Sequence, residues 1–199
     1  MSGGTLVMMH GMTGTSEMMR PLAESLVPKG WSVICPQATT EHPTRGGFAW
    51  WLRAEDPTLP LDGAAQGQVD ESLSRILESL PEGPIIVGGF SQGGAMASAL
   101  LETETQDRIV GLVLIGTKTV RGESLRDRIP FLQPRPVVWM HGTGDHLVPI
   151  DLARHHADIF EDAGWPVTRL EHGKGHMVNL NQLEELRVAI QEMAEVSQR

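Results

Sequence analysis

One serine in the chain has neighbours that would expose it as a nucleophile. Ser91 lies at the centre of a G-x-S-x-G segment, with an apolar run at 85–87 before it and a small-residue run at 95–101 after it. This pattern predicts a strand, a sharp turn and a helix, in which Gly89 and Gly93 remove side chains that would block the turn. The serine Oγ would then stand free at the end of a sheet. The alternative is a glycine turn with a purely structural role.

A serine hydroxyl is a weak nucleophile at neutral pH and needs a base, which in turn needs a carboxylate to orient it. Two downstream segments supply these groups in the order that is expected after such a serine, acid first and histidine second. The first carries Asp145 among small residues after an apolar run, and the second carries His176 beyond a Gly-Lys-Gly turn. We therefore predict a catalytic triad of Ser91, Asp145 and His176.

Both partners of the serine have alternatives. Asp145 could be a turn residue or the cap of a helix that begins near residue 150, although Asp151 is better placed as a cap or first-turn residue. His172 competes with His176 but lies closer to the preceding strand-like run. Other histidines of this half are interpreted as structural or solvated: His141, His146, His155 and His156. Their spacing is not that of a metal site, so no metal ion is predicted.

Acyl transfer to a serine builds negative charge on the carbonyl oxygen, which backbone amides must stabilise. The residue after the nucleophile, Gln92, is one expected donor. The other is expected from the glycine-rich loop after the first apolar run, where Met12 follows His10 and Gly11. His10 would orient this loop rather than act on a substrate. The alternative is an ordinary glycine-rich connection between a strand and a helix.

These candidates follow a regular alternation of strand-like and helix-like segments. Short apolar runs predict six strands, at 5–9, 31–35, 85–90, 109–115, 136–140 and 166–170. Helical periodicity predicts six helices, at 16–29, 64–80, 91–102, 124–129, 150–163 and 179–196. Such alternation is typical of an α/β fold, a mostly parallel sheet covered by helices on both faces, with ligands at the carboxyl ends of the strands. Residues 37–63 are predicted to form a long irregular loop, ordered by two adjacent tryptophans.

Composition limits the partners of the chain. Its 199 residues are expected to form one domain, residues 1–199, with a sizeable core. Acidic residues outnumber basic ones by 25 to 16, and the net charge of −9 argues against binding to nucleic acid or stable association with a membrane. The single cysteine, Cys35, lies in a strand-like run and is expected to be a buried, inert thiol. We recognise no secretory leader or membrane-spanning run, which favours a cytoplasmic protein.

The sequence resembles serine hydrolases of the α/β-hydrolase fold, and within them the group of carboxylesterases, lysophospholipases and acyl-protein thioesterases. The resemblance lies in four segments, at 9–12, 89–97, 141–149 and 173–176, which follow one another in the expected order. It implies a triad of Ser91, Asp145 and His176, oxyanion donors at the amides of Met12 and Gln92, and no cofactor. Relative to the usual fold, it implies that the early antiparallel strands and a large cap are lacking.

The resemblance also implies a class of substrate. Hydrolysis of small to medium carboxylic esters is expected, with thioesters, lysophospholipids, amides or C–C bonds as alternatives for the same triad, and non-catalytic ligand binding as a further one. Segment 48–51 resembles a tryptophan-containing stretch that lines the acyl site in that group, so Trp50 and Trp51 are candidate substrate-binding residues. The alternative is that both tryptophans pin the long loop to the core.

Overall fold

The computed structural model describes residues 3–52 and 60–196. In these ranges the strands are β1 (Thr5–Met9), β2 (Ser32–Ile34), β3 (Thr40–Glu41), β4 (Phe48–Ala49), β5 (Ile85–Phe90), β6 (Ile109–Ile115), β7 (Val137–Gly142) and β8 (Val167–His172). Six of them form one sheet in the order β2-β1-β5-β6-β7-β8, and every neighbouring pair is parallel. The predicted parallel sheet of six strands is therefore confirmed.

Helices cover both faces of this sheet, as predicted. They are α1 (Ser16–Leu26), α2 (Gly63–Ser79), α3 (Gln92–Ala99), α4 (Gly122–Arg128), α5 (Ile150–Asp162) and α6 (Leu183–Val196). None of the helices in the described ranges is long and apolar enough to cross a membrane. The connection between β6 and β7 consists of α4 and a single 3-10 turn at Ile129–Phe131.

Alternate residues of β1 serve the two faces of the sheet. Leu6 and Met8 belong to the core cluster that also contains side chains of α1 and α6, whereas Val7 and Met9 belong to the cluster that contains side chains of α2, α3, α4 and α5. Because both faces are buried, the strand reads as an unbroken apolar run. Cys35 lies in the same core cluster as α1 and is buried as predicted, and this burial raises the pKa of its thiol.

The end of α1 differs from its prediction. The helix begins where expected, because the Thr15 side chain accepts a hydrogen bond from the amide of Met18 and caps it. It ends at Leu26, three residues before the predicted end at residue 29. The reason is Pro28, which disfavours helical angles at the residue before it, and Val27 is accordingly extended with ψ 129°.

The segment 37–63 is not wholly irregular, which corrects the prediction. Strands β3 and β4 pair antiparallel, with Thr40 opposite Ala49 and Glu41 opposite Phe48. Strands of two residues are too short to show an alternating pattern in sequence. Residues 53–59 of the predicted loop lie outside the described residues.

The strand order of the main sheet reverses at β1: β2 pairs on one side of it, and β5 to β8 follow one another on the other side. The switch point therefore lies between β1 and β5, and ligands bind at such points in parallel sheets.

Candidate active site

Ser91 lies between β5 and α3 at backbone angles that most residues avoid, φ 55° and ψ −118°. Its amide donates a hydrogen bond of 2.8 Å to the carbonyl of Ile115. A Cβ added to Gly89 would lie 2.5 Å from the carbonyl carbon of Gly93, and one added to Gly93 would lie 2.1 Å from the carbonyl oxygen of Met9. The predicted strand, turn and helix are confirmed, and close packing of backbone against backbone maintains the strained turn.

The Asp145 carboxylate follows β7 and is buried among hydrogen-bond donors. Its Oδ1 accepts from the amides of Leu147 at 2.8 Å and Val148 at 2.9 Å, and its Oδ2 accepts from Nδ1 of His176 at 2.6 Å. Burial alone would raise the pKa of Asp145, but these hydrogen bonds outweigh it and hold the pKa below its ordinary value. A charged carboxylate can only accept, so His176 carries its proton on Nδ1 and leaves Nε2 free to accept another.

The His176 imidazole lies beside the neighbours of the serine. Its ring centroid is 4.7 Å from that of Phe90, the residue before Ser91. A Cβ added to Gly116 would lie 3.6 Å from Cε1 of His176, and Gly116 follows Ile115, whose carbonyl holds the Ser91 amide. The structure therefore brings the predicted serine and histidine to the same edge of the sheet.

The competing histidine, His172, lies at the end of β8. Its Nδ1 accepts from the amide of Lys174 at 3.3 Å, and burial lowers its pKa. A Cβ added to Gly142 would lie 2.8 Å from its Cε1, so the ring packs against the start of the turn that carries Asp145. Of the two histidines, His176 is the one that donates to Asp145.

A further histidine contacts Asp145, and sequence reasoning missed this contact. His141 is fully buried and stacks on Trp139, with 5.6 Å between ring centroids and 13° between planes. Its Nε2 donates to the carbonyl of Val148 at 2.9 Å and lies 3.4 Å from Oδ2 of Asp145. Burial lowers its pKa, so the ring stays neutral and secures the turn. The sequence signal that could have indicated this contact is the position of His141 at a strand end, four residues before Asp145.

The other histidines agree with their structural or solvated interpretation. His146 is exposed, and His155 is exposed beside Arg126. His156 is fully buried in α5 against Phe160, and burial lowers its pKa to about 3. Across residues 3–52 and 60–196, no group of three or more His, Cys, Asp or Glu side chains could hold a metal ion.

The loop after β1 turns sharply beside the serine. The amide of Gly14 donates to the carbonyl of Gly11 at 3.0 Å, which closes a four-residue turn with Met12 and Thr13 at its centre. Thr13 has φ 67°, a strained angle for a β-branched residue. A Cβ added to Gly11 would lie 3.3 Å from the Cβ of Ser91, so the loop backbone approaches the nucleophile closely.

The backbone amide and the side chain of Gln92 lie in different surroundings. It is the first residue of α3, so no carbonyl of its own helix reaches its amide, which lies at the positive end of the helix. The side chain is buried: Oε1 accepts from the amide of Trp50 at 3.1 Å and Nε2 donates to the carbonyl of Trp51 at 2.8 Å. This pairing could not be predicted from the sequence, because the partners are about forty residues apart.

Both tryptophans are buried, with 1% of Trp50 and 6% of Trp51 exposed. Nε1 of Trp50 donates to the carbonyl of His10 at 2.8 Å, and the Trp50 carbonyl accepts from the hydroxyl of Ser72 at 2.6 Å. Both rings belong to the core cluster that includes α2 and α3. These contacts agree with the alternative that both tryptophans hold the long loop against the core. A role of Trp50 and Trp51 in substrate binding stays a prediction.

His10 joins the loop after β1 to its surroundings. Its Nδ1 donates to the carbonyl of Gly11 at 2.8 Å, and its Nε2 accepts from the amide of Ala38 at 3.2 Å and from the side chain of Gln37 at 3.1 Å. Burial lowers its pKa, so the ring is neutral and can serve as donor and acceptor at once. These contacts agree with the orienting role that the sequence indicates.

The β3–β4 hairpin supports the same loop from outside. The amide of Thr13 donates to the carbonyl of Phe48 at 2.8 Å, and the amide of Phe48 donates to the carbonyl of Gly14 at 3.1 Å. Gly47 has φ 66°, and a Cβ at this position would lie 2.1 Å from the carbonyl oxygen of Thr13. A glycine is therefore required where the hairpin meets the loop.

Comparison with known proteins gives one family and several relatives. A family model described as alpha/beta hydrolase fold matches residues 4–130. A probable carboxylesterase of Oryza sativa subsp. japonica is 31% identical over 127 residues, which cover 62% of this chain and 47% of that protein. An acyl-protein thioesterase 1 of Cryptococcus neoformans is 33% identical over 93 residues, covering 46% of this chain and 39% of that protein. The aligned segments thus span less than half the length of these relatives.

Solved structures resemble the chain over nearly its whole length. An acyl-protein thioesterase 2 of Zea mays has a TM-score of 0.78 at 20% identity and covers 96% of this chain and 94% of its own. A carboxylesterase of Bacillus cereus has a TM-score of 0.72 at 19% identity, with 96% and 89% covered. At these identities the likeness establishes a shared fold.

Proposed function

The chain belongs to the alpha/beta hydrolase fold family, and within it we propose a serine carboxylic-ester hydrolase that acts on small to medium acyl esters. The observation that carries the proposal is the hydrogen bond of 2.6 Å between His176 and the buried Asp145, beside a serine in a strained turn. Relatives named carboxylesterase and acyl-protein thioesterase support ester hydrolysis in general. The geometry of Ser91, His176 and Asp145 is what supports a serine hydrolase in particular.

In the proposed first half-reaction, the Oγ of Ser91 attacks the carbonyl carbon of the ester while Nε2 of His176 takes the hydroxyl proton. The negative charge of Asp145 stabilises the imidazolium that forms. The tetrahedral intermediate collapses, the C–O bond to the alcohol breaks, and His176 returns the proton to the departing alkoxide. The product of this half-reaction is an acyl ester of Ser91.

In the second half-reaction, water attacks the acyl carbonyl and gives its proton to His176. Collapse of the second intermediate releases the carboxylic acid and restores the hydroxyl of Ser91, so no cofactor is consumed. In both intermediates the amides of Met12 and Gln92 are proposed to hold the oxyanion. Loss of one such donor typically raises the barrier by about 2.7–4 kcal/mol.

The test is hydrolysis of p-nitrophenyl esters from acetate to palmitate, combined with labelling by a fluorophosphonate. We expect ester cleavage and a single covalent adduct on Ser91, because a fluorophosphonate reacts with a serine that a neighbouring base activates. Fragmentation of the labelled peptide must assign the adduct to Ser91 rather than to Ser98, which lies on α3, the helix that follows Ser91. Folded protein that neither cleaves esters nor takes the label would favour the alternative of a non-catalytic binding protein.

A thioester is the second candidate substrate, because acyl-protein thioesterases are among the aligned relatives. The same triad can expel a thiolate as readily as an alkoxide. An oxygen ester and a thioester with identical acyl chains separate the two candidates by their kcat/KM ratio. A ratio that strongly favours the thioester would replace the carboxylic-ester assignment.

Replacing Gly47 by alanine is expected to lower kcat for p-nitrophenyl acetate by about 10²-fold, the effect of misplacing a catalytic group by about 1 Å. The new Cβ would meet the carbonyl of Thr13 and displace the loop that carries Met12. Gly46→Ala is the matched control, because Gly46 also has positive φ but its Cβ would meet nothing within 4 Å. Both changes carry similar backbone strain of about 1–2 kcal/mol. Equal kcat in the two variants would contradict a supporting role for the hairpin.

A further inference from the structure

A cleft of about 420 Å³ opens beside the loop after β1. This volume lies within the range of about 300–1,000 Å³ that is usual for small-molecule sites. Four parts of the chain line the cleft: the loop from His10 to Gly14, side chains of α1, Phe90 at the end of β5, and two residues that follow His176. The cleft therefore lies where the proposed oxyanion loop, the nucleophile turn and the histidine loop meet.

The cleft is adjacent to the groups proposed to react. Gly11 lines it, and a Cβ at Gly11 would lie 3.3 Å from the Cβ of Ser91. Phe90 lines it as well, and its ring centroid is 4.7 Å from that of His176. An alkyl chain in the cleft could therefore be part of the same molecule as a carbonyl group at Ser91.

Apart from those of His10 and Thr13, the side chains that line the cleft are apolar. Besides Phe90 they are Met12, Met18, Met19, Leu22, Val178 and Leu180. The three methionines are unbranched and polarisable, so they can follow the shape of a flexible chain. The titratable side chain among the lining residues is His10, and burial lowers its pKa and keeps it neutral. Among the described residues that line the cleft, none carries a charged side chain at neutral pH.

Two of these side chains are unusually exposed for their type. Met18 on α1 is 71% exposed, and Leu180 in the turn before α6 is 67% exposed. Large apolar side chains that border a cavity lose contact with water when an apolar chain fills it, and this favours binding. The exposure of Met18 and Leu180 also makes them replaceable without loss of core packing.

We propose that this cleft binds an unbranched alkyl chain of the ester, an inference that rests on the proposed function. Because the cleft lies beside the loop of Met12 and close to Ser91, a chain attached to the reacting carbonyl can enter it, and the substrate's own chain is such an occupant. That chain belongs to the acyl group or to the alcohol. Esters with a medium-length alkyl chain are then the preferred substrates, rather than acetates or esters of charged acids.

The kinetic test compares two ester series. In p-nitrophenyl esters from acetate to octanoate the chain is on the acyl side, and in n-alkyl acetates it is on the alcohol side. In the series that uses the cleft, kcat/KM is expected to rise about fourfold for each methylene that becomes buried. The double variant Met18→Gln, Leu180→Gln is expected to lower the ratio of kcat/KM for the longest to the shortest ester about tenfold. Phe131→Gln, an equally exposed residue beyond α4, should leave the ratio unchanged.

The possible outcomes separate this inference from the proposed function. Ester cleavage that depends on Ser91 but shows the same chain-length ratio in the wild type and in the double variant overturns the cleft and leaves the function standing. A fall in the ratio that Phe131→Gln reproduces overturns the cleft as well. A ratio that falls in one series and not in the other assigns the chain to the acyl or the alcohol side.

A measurement of binding keeps the inference testable without turnover. The ten methionines can be labelled with ¹³C at their methyl groups, and octanoate or 1-octanol added as the probe. We expect chemical-shift changes at Met12, Met18 and Met19, and none at the fully buried Met8 and Met96. Shifts at no methionine, or at all of them alike, overturn the inference whether or not the protein cleaves esters.

Discussion

Replacing Ser91 by alanine is expected to lower kcat for p-nitrophenyl acetate by about 10⁵- to 10⁶-fold, the usual loss when a triad serine is removed. The substitution deletes one oxygen atom and leaves the turn between β5 and α3 in place, since Gly89 and Gly93 rather than the hydroxyl make that turn possible. The residual rate would come from binding and from the amide donors alone. The measurement is kcat on protein whose circular dichroism matches that of the wild type.

Ser98→Ala is the matched control for this variant. Ser98 lies on α3, the helix that follows Ser91, and is buried; its hydroxyl donates to the carbonyl of Ala95 at 2.9 Å. Its loss affects a local hydrogen bond worth about 1 kcal/mol and touches no reacting group, so kcat should stay near that of the wild type. A Ser91→Ala protein that retained most of the wild-type kcat would show that another group attacks the ester.

The sequence predicted the sheet and the nucleophile turn because both depend on local patterns. Strand β6 is a continuous apolar run from Ile109 to Ile115, and burial on both faces requires such a run. The turn at Ser91 needs small residues at fixed spacings on either side, and Gly89 and Gly93 supply them. The order of acid and histidine after the serine follows from the strand order, so the pairing of Asp145 with His176 could be predicted as well.

The supports of the site could not be predicted, because they join residues that are distant in sequence. The hairpin that supports the loop after β1 depends on a close approach between Gly47 and Thr13, and its strands are too short to show a pattern. The pairing of Gln92 with the amide of Trp50 is likewise a product of tertiary packing. The sequence indicates a structural or solvated role for His141, and its contact with Asp145 appears only when the turn after β7 is folded.

Replacing Asp145 by asparagine is expected to lower kcat by about 10⁴-fold through a change of tautomer in His176. The asparagine oxygen can still accept from the amides of Leu147 and Val148, which places its NH₂ group opposite Nδ1 of His176. Because NH₂ only donates, Nδ1 must then be unprotonated, and the proton moves to Nε2. That nitrogen can no longer take the proton of Ser91, so the serine stays inactive although every backbone contact remains.

The pH dependence of stability distinguishes this loss of charge from a disturbed fold. The pKa of Asp145 is lowered in the folded protein, so its charge stabilises the fold above the unfolded pKa, and this contribution disappears as pH falls through the folded pKa. The free energy of unfolding in urea should therefore differ between wild type and Asp145→Asn at neutral pH, and the difference should shrink in acid. Asp151→Asn is the control, because Asp151 is exposed in the first turn of α5. Its kcat and the pH dependence of its free energy of unfolding are expected to match those of the wild type. A gap between wild type and Asp145→Asn that stays constant into acid would mean that packing, and not the carboxylate charge, sets the role of this residue.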